Sequence, residues 1–289
     1  MAVVGKKQTA RTSSKNNLNN LTGKEWLYFL CSVFATSYST KGVNGFSHEL
    51  RKAHPSPKPP ILLKEIIEFF TKKNQWVLNP FMGVGGTLLG CSLANRKAVG
   101  IDLESKYIQI YKKVCKKEQV TQQFTHSGDA RNLTNILQKL KKKQSKIPKQ
   151  FDLIVTDPPY SNMMIKKRSI GLKNGKSQTP FSSSKKDIGN LSYNEFLDEL
   201  KIIILESLKY LKDKKYLILF TKDMQPKKTH HNLLHADIVM KLSEIENLSF
   251  RGYKIWFDKT QNLYPLGYPY TFVANQFHQF ILVFRKEPQ

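Results

Sequence analysis

From Trp76 to Asp157 the chain alternates between short apolar runs of β type and stretches with helical spacing, and this rhythm restricts its fold more than any other feature. Trp76-Val77-Leu78 predicts a strand that runs into a Gly-rich turn, and a helix is expected over 88–95. Ala98-Val99-Gly100-Ile101-Asp102 is the next strand, followed by a helix over 105–117. A strand at 120–125 and a helix at 133–143 precede a fourth strand, Phe151-Asp152-Leu153-Ile154-Val155-Thr156, which ends at Asp157. Strands separated by helices cannot pair as tight hairpins. They form a parallel sheet instead, with ligands held at the carboxyl ends of the strands.

Beyond Asp157 the pattern predicts helices at 191–211 and 233–245 and strands at 216–221, 253–257 and 277–284. Before it, helices are expected at 61–71 and from Gly23 to about 37, the latter carrying Trp26, Phe29, Leu30 and Phe34 on one face. The expected fold is α/β, a doubly wound, mostly parallel seven-stranded sheet with helices on both faces. Residues 1–20 are polar and basic and read as a mobile arm. Residues 21–289 read as a single domain with a basic loop insertion at 161–190, and no large separate recognition domain is visible.

Two constellations carry chemistry. Asp157-Pro158-Pro159-Tyr160 places a carboxylate, two rigid prolines and an aromatic face directly behind a buried-strand pattern. Such a set suits a flat ring bearing an amino group, although Pro-Pro also ends a strand in any turn. Asn79-Pro80-Phe81-Met82-Gly83-Val84-Gly85-Gly86-Thr87 lies between a strand and a helix, where glycines let the backbone approach a ligand closely. Asp102 follows the turn by about twenty residues, a spacing at which an acid bonds the hydroxyls of a ribose. The G-x-G-x-x-G spacing and a Lys-Ser/Thr pair are both missing, so a nucleoside cofactor without pyrophosphate fits better than a dinucleotide or a triphosphate.

The formal net charge of +25 favours a polyanionic partner, although most of the positive charge is Lys, which a biased genome also produces. Cys31, Cys91 and Cys115 lack paired spacing, so neither a zinc site nor a disulfide framework is expected and the chain reads as cytoplasmic. No run is long enough to span a membrane. His230, His231 and His235 lack the partner acid of a zinc-protease helix and read as surface residues. The Lys run at 139–149 reads as a solvated connection. The stretch 264–270, with its tyrosines and prolines, either lines a cleft or is a packed corner.

These blocks together resemble the S-adenosylmethionine-dependent amino-methyltransferases of DNA, which methylate adenine N6 or cytosine N4. Asn79 to Thr87 resembles the family's cofactor loop. Asp102 falls at the acid that holds the ribose, and Asp129-Ala130 at the contact with the cofactor adenine. Asp157 to Tyr160 matches the catalytic block, and His54-Pro55-Ser56-Pro57-Lys58-Pro59 the segment that closes over the methionine end of the cofactor. Asn79 replaces the usual acid and Gly86 a frequent Thr. The cofactor blocks also precede the catalytic block, an order that a circular permutation accounts for.

The resemblance implies S-adenosylmethionine as cofactor, no metal, and double-stranded DNA as partner. A homodimer or a separate specificity partner stays open. The cofactor would be bound by Lys58, Asn79, Pro80, Phe81, Gly83, Gly85, Gly86, Thr87, Asp102, Asp129 and Ala130. Asp157, Pro158, Pro159 and Tyr160 would act on an extruded adenine, Asp157 and the Pro158 carbonyl accepting the two amino hydrogens and Tyr160 stacking on the base. In that scheme the basic loop 161–190 is a lid that touches phosphates through Lys166, Lys167, Arg168, Lys173 and Lys176. Cytosine N4, or an RNA amino group, is the alternative target. A cytosine-C5 reaction would need a Pro-Cys nucleophile, and none of the three cysteines follows a proline.

Overall fold

The computed structural model describes residues 16–160, 182–223 and 233–288. One open sheet runs in the order β1-β7-β8-β6-β5-β2-β3-β4, and all neighbours are parallel except those of β8. Seven of these strands are the expected ones: β2 (Trp76–Asn79), β3 (Lys97–Asp102), β4 (Phe124–Ser127), β5 (Phe151–Thr156), β6 (Leu211–Thr221), β7 (Leu248–Asp258) and β8 (His278–Lys286). The eighth, β1 (Val33–Thr36), extends the sheet beyond β7.

β1 corrects the single N-terminal helix that the sequence predicts. Helix α1 stops at Phe29 (Gly23–Phe29), and the chain then turns into a strand. Helical spacing and edge-strand packing both put Trp26, Phe29 and Phe34 on one apolar surface, so periodicity alone could not separate them. Lys254 of β7 decides it: its ammonium bonds the carbonyls of Phe29 and Cys31 and lies over the rings of Phe29 and Phe34. These contacts draw the carbonyls at the end of α1 out of the helical ladder. Residues 16–20, at the end of the predicted mobile arm, are also held: Asn19 is buried and donates to the Phe69 carbonyl at 2.5 Å.

Helices cover both faces. On one, α6 (Leu133–Lys143), α7 (Tyr193–Leu208) and α8 (Leu234–Ser243) pack on Leu78, Val99, Ile101 and Ile154. On the other, α3 (Pro60–Phe70), α4 (Gly86–Leu93) and α5 (Ser105–Glu118) pack on Val77, Ala98, Leu153 and Val155. Alternate strand residues thus serve opposite cores, which is why the strands read as nearly continuous apolar runs. A short helix, α2 (His48–Arg51), precedes α3.

The chain builds β2, β3 and β4 outward in one direction and returns to β5 on the far side of β2. The β2–β5 boundary is therefore the switch point of the sheet, where flanking connections diverge and leave a crevice. The same edge also carries the β7–β8 connection. Thr156 of β5 lies beside Leu219 of β6, Thr221 beside Phe280 of β8, and His278 beside Phe257 of β7. Among the described residues, no helix is long and apolar enough to cross a membrane.

Candidate active site

A cleft partly open to solvent occupies the switch point. Lys58, Asn79, Pro80, Phe81, Gly83, Gly86, Thr87, Asp102, Asp129, Ala130 and Asp157 to Tyr160 all line it. Residues separated by as much as 99 positions in the chain, Lys58 and Asp157, touch there. Of the residues assigned to the cofactor, Gly85 alone faces elsewhere. It adopts φ +79°, and a Cβ there would lie 2.2 Å from the Tyr111 ring, so core packing and turn geometry both require glycine. The assigned phosphate contacts Lys166, Lys167, Arg168, Lys173 and Lys176 lie outside the described residues.

The turn after β2 is tied from within. Asn79 is buried; its amide donates to Thr87 Oγ1 at 2.9 Å and its oxygen accepts from the Phe81 amide at 2.9 Å. Both ends of the side chain are engaged in shaping the loop, work for which a neutral amide suffices. Gly83, at φ +50°, donates its N–H to Asp102 Oδ2 at 2.7 Å, and the Glu104 amide donates to Oδ1 at 2.8 Å. These bonds aim the Asp102 carboxylate across the end of β3. Burial outweighs them and pushes its pKa up to about 6. Each carboxylate oxygen keeps a lone pair for a further donor.

Asp129 has a different environment. Arg131 clamps it with its guanidinium at 2.8–3.1 Å and reaches Glu199 at 2.9 Å and the Lys186 carbonyl at 2.7 Å. His54 lines the cleft edge-on to Tyr107, and burial, helped by the Lys58 charge, pushes its pKa down to about 3. It is neutral throughout the physiological range.

At the end of β5, Asp157 is held from two sides. Lys58 Nζ lies 2.5 Å from Oδ2, and the Tyr160 hydroxyl donates to Oδ1 at 2.9 Å. Lys58 is only 7% exposed and Asp157 19%. Arg51, itself buried, fixes the Lys58 backbone by donating to its carbonyl at 2.9 Å. Tyr160 is 5% exposed, its ring packed in the core against α7, so the structure uses it first as a support for Asp157. Burial and the Asp157 charge hold its hydroxyl protonated, pushing the pKa well above the usual phenol range. Pro159 packs against Gly189, where a Cβ would come within 2.8 Å of its ring.

Several lining residues escaped the sequence reading: Tyr107, Glu104, Ser182, Lys186, Asp187 and Ile188. Ser182 bonds Glu104, and Asp187 caps a short turn by accepting from Gly189. The last part of the predicted loop 161–190 thus forms one wall of the cleft. Its Asp187, the single acid in a basic stretch, was the available signal. His235 lies elsewhere: Nδ1 bonds Asp223 at 2.7 Å and the ring stacks on Phe280 at 3.8 Å. His230 and His231 lie outside the described residues, and no metal-binding cluster is found among those that are described.

Residues 4–113 match the N6_N4_Mtase family, described as DNA methylase. The chain is 43% identical over 60 residues to the type II methyltransferase M2.LlaDCHI of Lactococcus lactis subsp. cremoris, a match covering 21% of this chain and 22% of that protein. Over these stretches the chain is similar to the N6/N4 DNA methylases. A longer match, 29% identity over 108 residues, links it to the tRNA (guanine(10)-N2)-dimethyltransferase of Pyrococcus abyssi and covers 37% of this chain and 30% of that protein. The matched stretch thus spans less than a third of either relative. The solved structure of TrmN from Thermus thermophilus superposes with a TM-score of 0.50 at 16% identity, covering 83% of this chain and 53% of that one, a likeness of fold.

Proposed function

We propose that this chain transfers a methyl group from S-adenosylmethionine to the exocyclic N6 of adenine in double-stranded DNA. The observation that carries the reading is the placement of Asp157 at the switch-point cleft, braced by Lys58 and Tyr160. The cleft also suits the cofactor. Asp102, Glu104, Asp129, Asp157 and Asp187 line it against Lys58 and Lys186, so a strongly basic chain presents a carboxylate-rich cavity. Such a field favours a ligand bearing a sulfonium and an ammonium. Asp102 would hold the ribose hydroxyls, the turn 79–87 the methionine portion, and Asp129-Ala130 the adenine. Bound there, the cofactor supplies an electrophilic methyl group.

Asp157 and the Pro158 carbonyl act on the target. The lone pair of an aromatic amino group is delocalised into the ring and is a weak nucleophile. When two fixed acceptors take its N–H bonds, the nitrogen becomes tetrahedral and its lone pair is freed toward the cofactor pocket. Fixed dipoles of this kind cost no reorganisation at the moment of reaction. The alkylated nitrogen is strongly acidic and loses its surplus proton to solvent after the bond forms, so Asp157 serves as a polarising acceptor. Lys58 and Tyr160 each occupy one lone pair of an Asp157 oxygen, and the carboxylate retains others for the amino group. A base within a duplex must be extruded to reach this depth.

Mass spectrometry of nucleosides from treated DNA tests the reading. N6-methyladenine is expected. N4-methylcytosine alone would exclude adenine as the target, and transfer to tRNA with none to DNA would move the chain toward the activity of its archaeal relative.

A further inference from the structure

The β7–β8 connection, residues 259–277, presents aromatic rings to solvent at the catalytic edge of the sheet. Tyr268 is 82% exposed, Tyr270 92% and Phe272 90%, with Leu263 at 79% beside them. The rings are held out by a folded loop. Asn275 pins its two arms by accepting from the Tyr264 amide at 3.1 Å and donating to the Tyr264 carbonyl at 2.8 Å. Two amides, of Tyr270 and Thr271, close onto the Gly267 carbonyl at 2.8 and 2.9 Å. Gly267 itself has φ +77°, and a Cβ there would collide with the Thr271 carbonyl. These bonds fold the loop and leave the rings at its tip exposed. Apolar groups displayed in this way mark a contact surface.

We propose that Tyr268, Tyr270 and Phe272 form the base-stacking surface of the DNA interface, contacting bases next to the one held at Asp157. Three observations select nucleic acid as the occupant. The loop leaves the same sheet edge as Asp157, three strands away, a separation of about 15 Å at ordinary strand spacing and within the width of a duplex. Residues 259–277 contain no carboxylate and begin with Lys259, in a chain of net charge +25, so nothing in the loop repels phosphate. Flat rings on a hydrogen-bonded loop are also what a base exposed by extrusion of its neighbour stacks upon.

The inference rests on the proposed function for its DNA partner but is read separately. Tyr268→Ala, Tyr270→Ala, Phe272→Ala and the triple variant would be compared with the parent protein by fluorescence anisotropy on labelled duplex DNA. Methyl incorporation, calorimetric cofactor affinity and the melting temperature complete the set. The triple variant should lose about tenfold or more in DNA affinity, with cofactor affinity and melting temperature unchanged, and Tyr270→Trp should retain binding. Unchanged DNA affinity in the triple variant overturns the proposal, most directly if sedimentation shows that the substitutions dissociate an oligomer. A parent protein that binds DNA without methylating it would count against the proposed function while leaving this surface testable.

Discussion

Lys58 Nζ lies 2.5 Å from Asp157 Oδ2, so the segment resembling a cofactor-closing element reaches the carboxylate proposed to polarise the target. The pair is nearly buried and its lysine is anchored by Arg51. A charge pair in such a setting positions more than it stabilises, because desolvating both partners offsets most of their attraction. Lys58→Met should therefore lower the rate of methyl transfer by about tenfold or more, the usual effect of removing a charged hydrogen bond. Cofactor affinity is expected to change little. Calorimetry decides between this role and a direct hold on the methionine carboxylate, which would weaken cofactor binding instead.

Gly85 lies in the turn beside the cleft but faces the Tyr111 ring, and it provides a stability test. Gly85→Ala forces a side chain into left-handed backbone and against the Tyr111 ring. The combined strain and overpacking should cost roughly 2–4 kcal/mol. Chemical denaturation would show the loss, and the folded fraction of the variant should still bind the cofactor with its original affinity.

Most of the sheet was legible because alternating strands and helices leave period-specific apolar patterns, and Phe151 to Thr156 lies in its most buried part. The grouping of the candidate residues in one cleft was legible for a related reason: at a switch point, a ligand cleft forms between strand ends, and Asn79, Asp102 and Asp157 each stand at the end of a strand or next to one. Two kinds of feature were not. The β1 strand depends on Lys254, more than two hundred residues away, which no local window contains. The roles of Asn79 and Tyr160 depend on partners. Asn79 spends both ends of its amide inside its own turn, and Tyr160 turns its hydroxyl onto Asp157.

Asp157→Asn separates polarisation from folding. The amide is isosteric, and its oxygen can still accept from Lys58 or Tyr160, so the fold and the cofactor pocket should survive. The anionic acceptor is lost, and transfer should fall about a hundredfold or more. A parallel collapse of cofactor affinity would mean that Asp157 belongs to the cofactor and that the polarising group lies elsewhere.

The pH dependence of cofactor binding should follow Asp102. Burial raises its pKa to about 6 from an ordinary value of 3.8, so the folded protein favours the neutral acid. Ionising it costs stability, a penalty that sets in above the unfolded value and is complete once the pH exceeds about 6. Ribose hydroxyls donate best to the anion, so binding draws on the ionised form. Affinity should be flat above neutrality and weaken below pH 6, approaching about tenfold per unit for one linked proton. Asp187 also borders the cleft and is pushed up by burial, so the wild-type profile alone cannot assign the titration. His54, neutral down to about pH 3, stays silent in this window. Asp102→Asn should bind the cofactor more weakly at pH 7.5 and lose the dependence between pH 5 and 7. If the variant keeps the wild-type profile in titration calorimetry, Asp102 is not the group that meets the ribose.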